Sequence, residues 1–336
     1  MSDTFPNPST VGVIVTRDLV GNALVKLPFL RALRATFPHA EIHWISSHGP
    51  TAFARELRAA TTPFIDKIHE EPLWLATSAK PNVSISPPRF DLLIDTRERW
   101  REATYAREIP HGLFVAPAMH YLLSEKRPPL FSSRPPHVCD RLIEAVMIAS
   151  GKAAHSLTGP LPIPDEVMQK ARAILPAGRV YVGLAPGSGT RVKAWPRYKF
   201  EKVAMTQAQK GRVPVFILGP QELNWYDELQ STVPAAKFPL QNYDLWGSFQ
   251  ITLDHTLALG RLLDVAVVND SGIGHMLAAA DCPLISLFGP TDPAKFAPRS
   301  GRVKIIEAKD FGAPNMREIT WEAVNDAIDE MLGNRC

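Results

Sequence analysis

Short apolar runs alternate with segments of helical spacing along the whole chain. Runs rich in β-branched residues predict buried strands, and apolar residues recurring at every third or fourth position predict helices. In the first half, strands are predicted at residues 11–15, 41–45, 65–69 and 90–95, and helices at residues 23–36, 97–108 and 137–149. This alternation is typical of a doubly wound sheet.

The same alternation restarts in the second half. Strands are predicted there at residues 180–185, 214–218, 265–268, 284–288 and 303–306, and helices at residues 165–175, 275–280 and 320–332. The pattern predicts an α/β protein of two Rossmann-like domains, residues 1–164 and 165–336, each with a mostly parallel sheet. A cleft between the domains is the expected active site, and the last helix could return to pack on the first domain.

The turn at residues 269–272, with the sequence NDSG, separates a predicted buried strand from a helix. Asp270 or Ser271 can accept hydrogen bonds from the first helical amides. Gly272 and Gly274 lack side chains that would keep a ligand away from the backbone. Free amides and the helix dipole then favour a phosphate at this turn. An ordinary capped turn between a strand and a helix is the alternative.

A second loop follows the next predicted strand. Residues 284–288 run into Gly289 and Pro290, and Thr291 comes directly after them. The carboxyl ends of neighbouring parallel strands lie at one edge of a sheet, and ligands of open α/β sheets collect there. We therefore expect the two loops to form one ligand site.

Length and composition narrow the class of protein. The 336 residues exceed the size at which a single core keeps growing, and the net charge of +3 gives no reason to propose a nucleic-acid partner. Three widely separated cysteines predict neither a disulfide framework nor a zinc site. The sequence shows neither a signal peptide nor a run of about 18 apolar residues. We expect a cytoplasmic protein, for which peripheral contact with the inner face of the membrane remains open, and no particular oligomeric state is predicted.

Several ordered motifs resemble glycosyltransferase family 9, the ADP-heptose:lipopolysaccharide heptosyltransferases. In the first half the motifs are VGNALVKLPFLRALRATFP at 20–38, FDLLIDTRERWREA at 90–103 and HVCDR at 137–141. In the second half they are GLAPGSGTRVKAWP at 183–196, LGPQE at 218–222 and the segment 267–293. The resemblance covers nearly the whole chain and implies the GT-B fold, in which two Rossmann-like domains face each other.

The resemblance also implies a reaction. A family member of this kind moves a sugar with inversion from a nucleotide sugar, such as ADP-heptose, to a lipopolysaccharide-core or related anionic glycan or glycolipid. The donor is a substrate, so no cofactor is expected. Negative charge develops on the departing diphosphate and must be stabilised. Because the sequence has no DxD motif for a metal ion, we expect protein groups to do this, and Lys193 matches the family's phosphate-contacting lysine, with Arg191 as a neighbouring alternative.

Other small polar residues of these motifs are expected to hold the donor. Ser188 and Thr190, beside Lys193 in the sequence, could cap the loop or donate hydrogen bonds to a phosphate. The resemblance implies that Ser271 and Gly272, with their amides, and Thr291 from the next loop bind the diphosphate or the sugar.

Three further donor-site residues have more than one interpretation. A carboxylate would be repelled by phosphate, so Asp270 is expected to cap the helix or to accept hydrogen bonds from sugar hydroxyls. His275 is either a donor contact or a packed, hydrogen-bonded histidine. Glu222 matches a family acid that holds the ribose hydroxyls, with Asp227 and Glu228 as alternatives.

The first half departs from the family at one position. The family motif has Gly-Asp, with the aspartate as presumed base, whereas this chain has Gly21 and Asn22. An amide can orient a hydroxyl but cannot take up its proton. Asp18, four residues earlier in the same strand-to-helix turn, and Asp95, at the end of another predicted strand, are the alternative bases. A catalytically impaired relative that binds a nucleotide sugar is the competing hypothesis, and a GT-B nucleotide-sugar epimerase is a third.

Basic residues of the first half are candidates for contact with an anionic acceptor. His137 and Arg141 are one helical turn apart and resemble the family's HxxxR element. Arg97, Arg99 and Arg101 alternate with acidic residues, as on a solvated helix face. We therefore rank His137 and Arg141 above these arginines.

Overall fold

A computed structural model describes residues 7–75, 86–129, 132–247 and 252–333. The chain divides into two compact units, Met1–Leu157 and Thr158–Cys336. The predicted division after residue 164 falls inside the second unit, because the segment around Leu161 packs there. The Leu161 amide donates to the Ala279 carbonyl at 2.8 Å, and the Arg261 guanidinium donates to the Leu161 carbonyl at 3.3 Å.

The first unit is built on a parallel sheet of five strands. The strands are β1 (Thr10–Val15), β2 (Glu41–Ser46), β3 (Lys67–Glu70), β4 (Phe90–Asp95) and β5 (His111–Val115). The helices are α1 (Val20–Thr36), α2 (Arg58–Thr61), α3 (Trp100–Ala106) and α4 (Val138–Ser150). The strand order β3-β2-β1-β4-β5 means that the chain changes its direction of travel across the sheet between β1 and β4.

The second unit has a parallel five-stranded sheet of its own. The strands are β6 (Tyr181–Ala185), β7 (Val213–Phe216), β8 (Val265–Asn269), β9 (Leu284–Phe288) and β10 (Val303–Glu307). The helices are α5 (Asp165–Ile174), α6 (Arg197–Gln209), α7 (Tyr226–Thr232), α8 (Tyr243–Trp246), α9 (Leu253–Gly260), α10 (Gly272–Ala279), α11 (Pro293–Phe296) and α12 (Trp321–Leu332). The order β10-β9-β8-β6-β7 places the change of direction between β6 and β8.

The central strands of the second unit are buried on both faces. Every residue of β8 and of β9 is buried, as the apolar sequences of these strands predict for a parallel sheet covered on both sides. On one side, α12 contributes Val324, Ile328 and Leu332 to a core that also holds α6. The apolar face of the last helix is thus used inside the second unit, and its packing on the first domain stays a prediction.

Some elements differ from the sequence-based expectation. Strand β5 and helices α6 and α9 were not predicted. The helix predicted at residues 97–108 is shortened to α3, because hydrogen bonds from Arg97 to Asp95 keep Arg97 at the end of β4 and outside the helix.

None of the helices in the described ranges combines the length and apolar character that a bilayer-spanning helix needs. Cys139 and Cys282 are buried, and Cys336 lies outside the described residues.

Gly183 in β6 lies where a side chain has no room. A Cβ at this position would lie 2.6 Å from Leu263 Cδ1 and 2.9 Å from Ala266 Cβ. We expect Gly183→Ala to lower the free energy of unfolding by about 1–3 kcal/mol, because the core must shift. Gly189→Ala is the control, since its Cβ would meet nothing within 4 Å. Urea denaturation should show a change below about 0.5 kcal/mol for the control, and equal losses in both variants would contradict this packing.

Candidate active site

The carboxyl ends of β6 and β8 form the switch point of the second sheet. These strands pair directly, with Ala185 opposite Val268, so the loops that follow them start side by side. The next strand, β9, pairs with β8 on its other side. Three loops therefore meet at one edge, which is where ligands bind in open α/β sheets.

Three of the predicted residues converge at this edge, each from a different loop. Lys193 Nζ lies 2.7 Å from Asp270 Oδ2, and the Thr291 hydroxyl donates a hydrogen bond to the same oxygen. The Asp270 side chain is 8% exposed and that of Lys193 is 30% exposed. The ammonium can therefore meet a ligand from solvent, while the carboxylate lies beneath it.

Helix α10 begins directly behind this cluster. Ser271 is its N-cap residue, and within the described chain its side chain makes no capping hydrogen bond. The predicted side-chain cap is therefore wrong for Ser271, and Asp270 Oδ2 is used by Lys193 and Thr291 instead. The first amides of a helix and its dipole together attract an anion. Gly272 opens this helix, as predicted, with its backbone next to the cluster.

Gly274 has a different role from the one predicted. A Cβ on Gly274 would lie 3.2 Å from Val268 Cγ2, so the missing side chain lets α10 pack closely on β8. Gly274 is buried, whereas His275 is half-buried in the first turn of α10. Both interpretations of His275, donor contact and packed histidine, stay open as predictions.

Asn269, at the end of β8, is a residue that the sequence reasoning did not single out. Its side chain is buried, and its Oδ1 accepts a hydrogen bond from the Trp195 amide at 3.1 Å. Its Nδ2 donates to the carbonyl oxygens of Pro186 at 2.8 Å and Gly187 at 3.4 Å. One side chain thus ties both ends of the loop that carries Lys193 to the strand that carries Asp270. The signal in the sequence was an amide at the last position of a buried strand.

Ser188 and Thr190 lie in the same loop after β6. The Ser188 hydroxyl donates to the Thr190 carbonyl at 3.0 Å, so Ser188 stabilises the turn that leads to Lys193. Thr190 and Arg191 are exposed. The predicted contact of Thr190 with phosphate stays a prediction, and Arg191 stays the alternative to Lys193.

Glu222 lies in the loop after β7, at the same edge of the second sheet. Its Oε2 accepts a hydrogen bond from the Gly219 amide at 3.1 Å and would lie 3.0 Å from a Cβ built on Gly187. Burial raises the pKa of the Glu222 carboxyl, although hydrogen bonds from Gly219 and from its own backbone oppose this. Of the alternatives, Glu228 is engaged by the Arg197 guanidinium.

The two alternative bases lie at the corresponding edge of the first sheet. Asp18 follows β1 and is buried, with Oδ1 ion-paired to Lys26 and Oδ2 accepting from Trp44 Nε1 at 2.9 Å. Asp95 ends β4 and is also buried. Arg97 donates to it from Nε at 2.8 Å, from Nη2 at 2.9 Å and from its amide at 3.0 Å.

Burial and the neighbouring guanidinium have opposite effects on the pKa of Asp95. Burial raises this pKa, and Arg97 lowers it. Arg97 is itself buried, so the prediction that it belongs to a solvated face is wrong. Asn22, at the position of the family's aspartate, is exposed in the first turn of α1.

The two residues of the HxxxR element, His137 and Arg141, both contact other groups of the first unit. His137 is the N-cap of α4, and its side chain accepts a hydrogen bond from the Cys139 amide at 3.1 Å. Arg141 is ion-paired with Glu98. Across the described ranges, no group of three histidine, cysteine or acidic side chains is arranged to hold a metal ion.

Solved structures show the class of fold to which this chain belongs. An Escherichia coli heptosyltransferase, WaaC with ADP, aligns with a TM-score of 0.68 at 18% identity, covering 96% of this chain and 99% of that one. The glycosyl transferase family 9 protein from Veillonella parvula aligns with a TM-score of 0.68 at 17% identity, covering 96% of this chain and 97% of that one. The chain therefore has the α/β GT-B fold of glycosyltransferases.

Sequence comparison identifies the family. Residues 84–323 match the model of glycosyltransferase family 9 (heptosyltransferase), so the chain belongs to this family and is a heptosyltransferase-like glycosyltransferase. It is 23% identical to lipopolysaccharide heptosyltransferase 2 of Salmonella typhimurium over 311 residues, and this alignment covers 88% of this chain and 87% of that protein. It is 26% identical over 301 residues to lipopolysaccharide heptosyltransferase 3 of Escherichia coli, covering 83% and 82%. A match to lipooligosaccharide heptosyltransferase 2 of Haemophilus influenzae, 28% identical, spans 139 residues and 39% of that protein.

Replacing Asn269 should loosen the loop that carries Lys193. In Asn269→Ala, the buried Trp195 amide and Pro186 carbonyl lose their partner, so we expect a loss of about 2–4 kcal/mol in the free energy of unfolding by urea denaturation. Asn315→Ala is the matched control, because the exposed Asn315 accepts one hydrogen bond, from the Arg317 amide. The control should lose no more than about 1 kcal/mol. An Asn269→Ala variant as stable as the control would show that the Asn269 amide does not hold this loop.

Proposed function

We propose that this chain transfers heptose from ADP-heptose to a lipopolysaccharide-core or related anionic surface glycan, with inversion at the anomeric carbon and without a metal ion. The names of the relatives support the lipopolysaccharide acceptor. One Escherichia coli heptosyltransferase was solved with ADP and also with ADP-2-deoxy-2-fluoro heptose, which supports the donor. The donor is a substrate, so no cofactor is proposed. Catalysis takes place in the cytoplasm, with peripheral membrane contact where the acceptor is lipid-linked.

The observation that carries the proposal is the convergence of Lys193, Asp270 and Thr291 in front of α10. In this structure, Asp270 neutralises Lys193. A diphosphate bears more negative charge than one carboxylate and is reached by the half-buried ammonium from the solvent side. Lys193 therefore exchanges Asp270 for the diphosphate, and Asp270 is then free to accept hydrogen bonds from sugar hydroxyls.

These groups act on the leaving diphosphate. The acceptor hydroxyl attacks the anomeric carbon on the face opposite the diphosphate, which inverts the configuration. As the bond to the diphosphate breaks, negative charge grows on the bridging oxygen. Lys193 and the first amides of α10 stabilise that charge, and groups already held in place do so without reorganisation at the moment of reaction.

Asp18 is our proposed general base. Among the described residues, each oxygen of Asp18 accepts one hydrogen bond, whereas Asp95 accepts three from Arg97. Asp18 therefore keeps more unused lone-pair capacity for a proton. Lys26 is 15% exposed, and its flexible side chain can move away as Asp18 becomes neutral.

A second candidate function is donor binding without efficient transfer. It is favoured by one observation, that both Asp18 and Asp95 are buried and paired with cations while Asn22 occupies the exposed position of the family base. The two functions differ in turnover. Purified protein incubated with ADP-heptose and a lipopolysaccharide-core acceptor should release ADP if the first is right, whereas binding of ADP-heptose without ADP release supports the second.

Lys193 should affect turnover more than any neighbouring cation. We expect Lys193→Ala to lower kcat about 100-fold, because a preorganised charge on the leaving group is lost. Arg191→Ala is the matched control, since Arg191 is exposed in the same loop, and kcat should change less than about twofold. Steady-state ADP release measures both variants. An unchanged kcat in Lys193→Ala, or an equal loss in Arg191→Ala, would contradict the assignment.

The base can be identified by four substitutions in the first unit. We expect Asp18→Asn to lower kcat by about 100-fold or more and Asp95→Asn to lower it less, when both are compared at equal folded fraction. Lys26→Met removes the ion pair of Asp18 but keeps the carboxylate, so it should retain most of kcat. Asn22→Asp should change kcat little. A large gain in Asn22→Asp would instead show that the natural chain is impaired at the family's base position.

A further inference from the structure

Two arginines of the first unit share one carboxylate oxygen. Arg134 Nη2 lies 2.8 Å from Glu98 Oε1, and Arg141 Nη1 donates to the same oxygen. The Glu98 side chain is 54% exposed, against 28% for Arg134 and 12% for Arg141. The acid thus lies outermost, and the two guanidinium groups lie beneath it.

One carboxylate leaves this arginine pair incompletely satisfied. Two guanidinium groups against one carboxylate keep a net positive charge. The Nε atoms of Arg134 and Arg141 are buried and have no hydrogen-bond partner among the described residues. A guanidinium offers five donors in a planar fork that fits a carboxylate or a phosphate in pairs. An anion with several oxygens would use this donor set more fully than the single Glu98 oxygen does.

Arg141 makes further hydrogen bonds within the first unit, whereas Glu98 has no partner besides the two arginines among the described residues. Arg141 Nη2 donates to the Pro136 carbonyl at 3.0 Å, and Arg141 itself lies in the first turns of α4. Tyr121 OH lies 3.3 Å from the Arg141 carbonyl and 2.9 Å from Glu144 Oε2, which ties this part of α4 to the loop after β5. Glu98 lies on the loop between β4 and α3. Glu98 is therefore the replaceable member of the cluster.

The position of the cluster in the fold is that of a ligand site. Glu98 follows closely after Asp95, the last residue of β4. The carboxyl ends of β1 and β4 form the switch point of the first sheet, where ligands of open α/β sheets bind. The arginine pair therefore borders the edge at which the acceptor is expected.

We propose that Arg134 and Arg141 together bind an oxyanion of the acceptor, a phosphate or a carboxylate, and that Glu98 occupies this site until the acceptor replaces it. This inference rests on the proposed function, because it takes the acceptor of glycosyl transfer as the ligand. Glu98 acts as an internal competitor that neutralises part of the charge of the arginine pair and keeps the pair in place. An acceptor must engage both guanidinium groups to displace it, so a neutral glycan is discriminated against.

The anion site can be tested without turnover. The full-length protein is titrated with inorganic phosphate, and with acetate in parallel, while the Nε resonances of Arg134 and Arg141 are followed by NMR. These resonances are assigned with Arg134→Lys and Arg141→Lys. We expect Glu98→Gln to tighten phosphate binding at these resonances by about two- to fivefold, the range for loss of an exposed ion pair. Adding Arg134→Gln to that variant should weaken it by about tenfold.

Glu70→Gln is the matched control for charge. Glu70 pairs with Arg55 at 2.7 Å in the same unit, so the substitution changes the net charge equally and also releases an arginine. Phosphate binding at the Arg134 and Arg141 resonances should not change in this variant. An equal gain in Glu70→Gln, or the absence of any phosphate response at either resonance, would overturn the proposal.

Kinetics then identify the source of the oxyanion. We expect Arg134→Gln to raise KM for the acceptor about tenfold and Glu98→Gln to lower it, with KM for the donor unchanged in both. Acceptors lacking either the phosphate or the carboxylate show which group binds, because removal of that group abolishes the difference between the natural protein and Arg134→Gln. Transfer with an unchanged acceptor KM in Arg134→Gln would refute this inference but leave the proposed function standing. Failure of transfer altogether would refute the proposed function, while the phosphate titration would still report on the arginine pair.

Discussion

The buried amide of Asn269 is the constraint on which the candidate donor site depends. A parallel sheet places the ends of β6 and β8 side by side, but it does not determine the path of the long loop that follows β6. Asn269 does so, because it accepts from Trp195 and donates to Pro186 and Gly187. The loop is closed at both ends by one side chain, and Lys193 is brought within 2.7 Å of Asp270 as a result. Strand pairing, loop path and charge placement are thus linked through a single residue.

Charges at the strand ends are paired within the protein in both units. In the second unit, Asp270 holds Lys193, and in the first, Lys26 holds Asp18 and Arg97 holds Asp95. Isolated buried charges are costly, so each pair stabilises the charged forms of its two members in the folded protein. The pairs differ in how readily they can exchange. Lys193 is 30% exposed beside the start of α10, whereas Arg97 and Asp95 are buried and joined by several hydrogen bonds.

The sequence predicted those parts of the structure that depend on local pattern. The continuous apolar runs of β8 and β9 predicted strands buried on both faces, and the ordered motifs predicted that Lys193, Asp270 and Thr291 would share a site. Interactions between residues in different elements could not be predicted from the sequence. The burial of Arg97 depends on Asp95 at the end of a strand, and the role of Gly274 depends on its contact with Val268.

Chemistry was less predictable than fold for the same reason. A carboxylate at the end of a strand resembles a base until its partners are known, and the partners Lys26 and Trp44 reach Asp18 from α1 and β2. The role of Asn269 was not predicted, because an asparagine after an apolar run is typical of a turn. Its role depends on three backbone groups that the loop places around its side chain. Sequence pattern thus indicates where groups lie along an element, and tertiary contacts determine what they can do.

A crystal structure of the full-length protein with ADP tests most directly whether the second unit binds the diphosphate of a nucleotide sugar. We expect the terminal phosphate within hydrogen-bond distance of Lys193 Nζ and of the first amides of α10, with the ion pair between Lys193 and Asp270 broken. ADP bound away from this edge of the second sheet, or a diphosphate that leaves Lys193 on Asp270, would contradict the central claim.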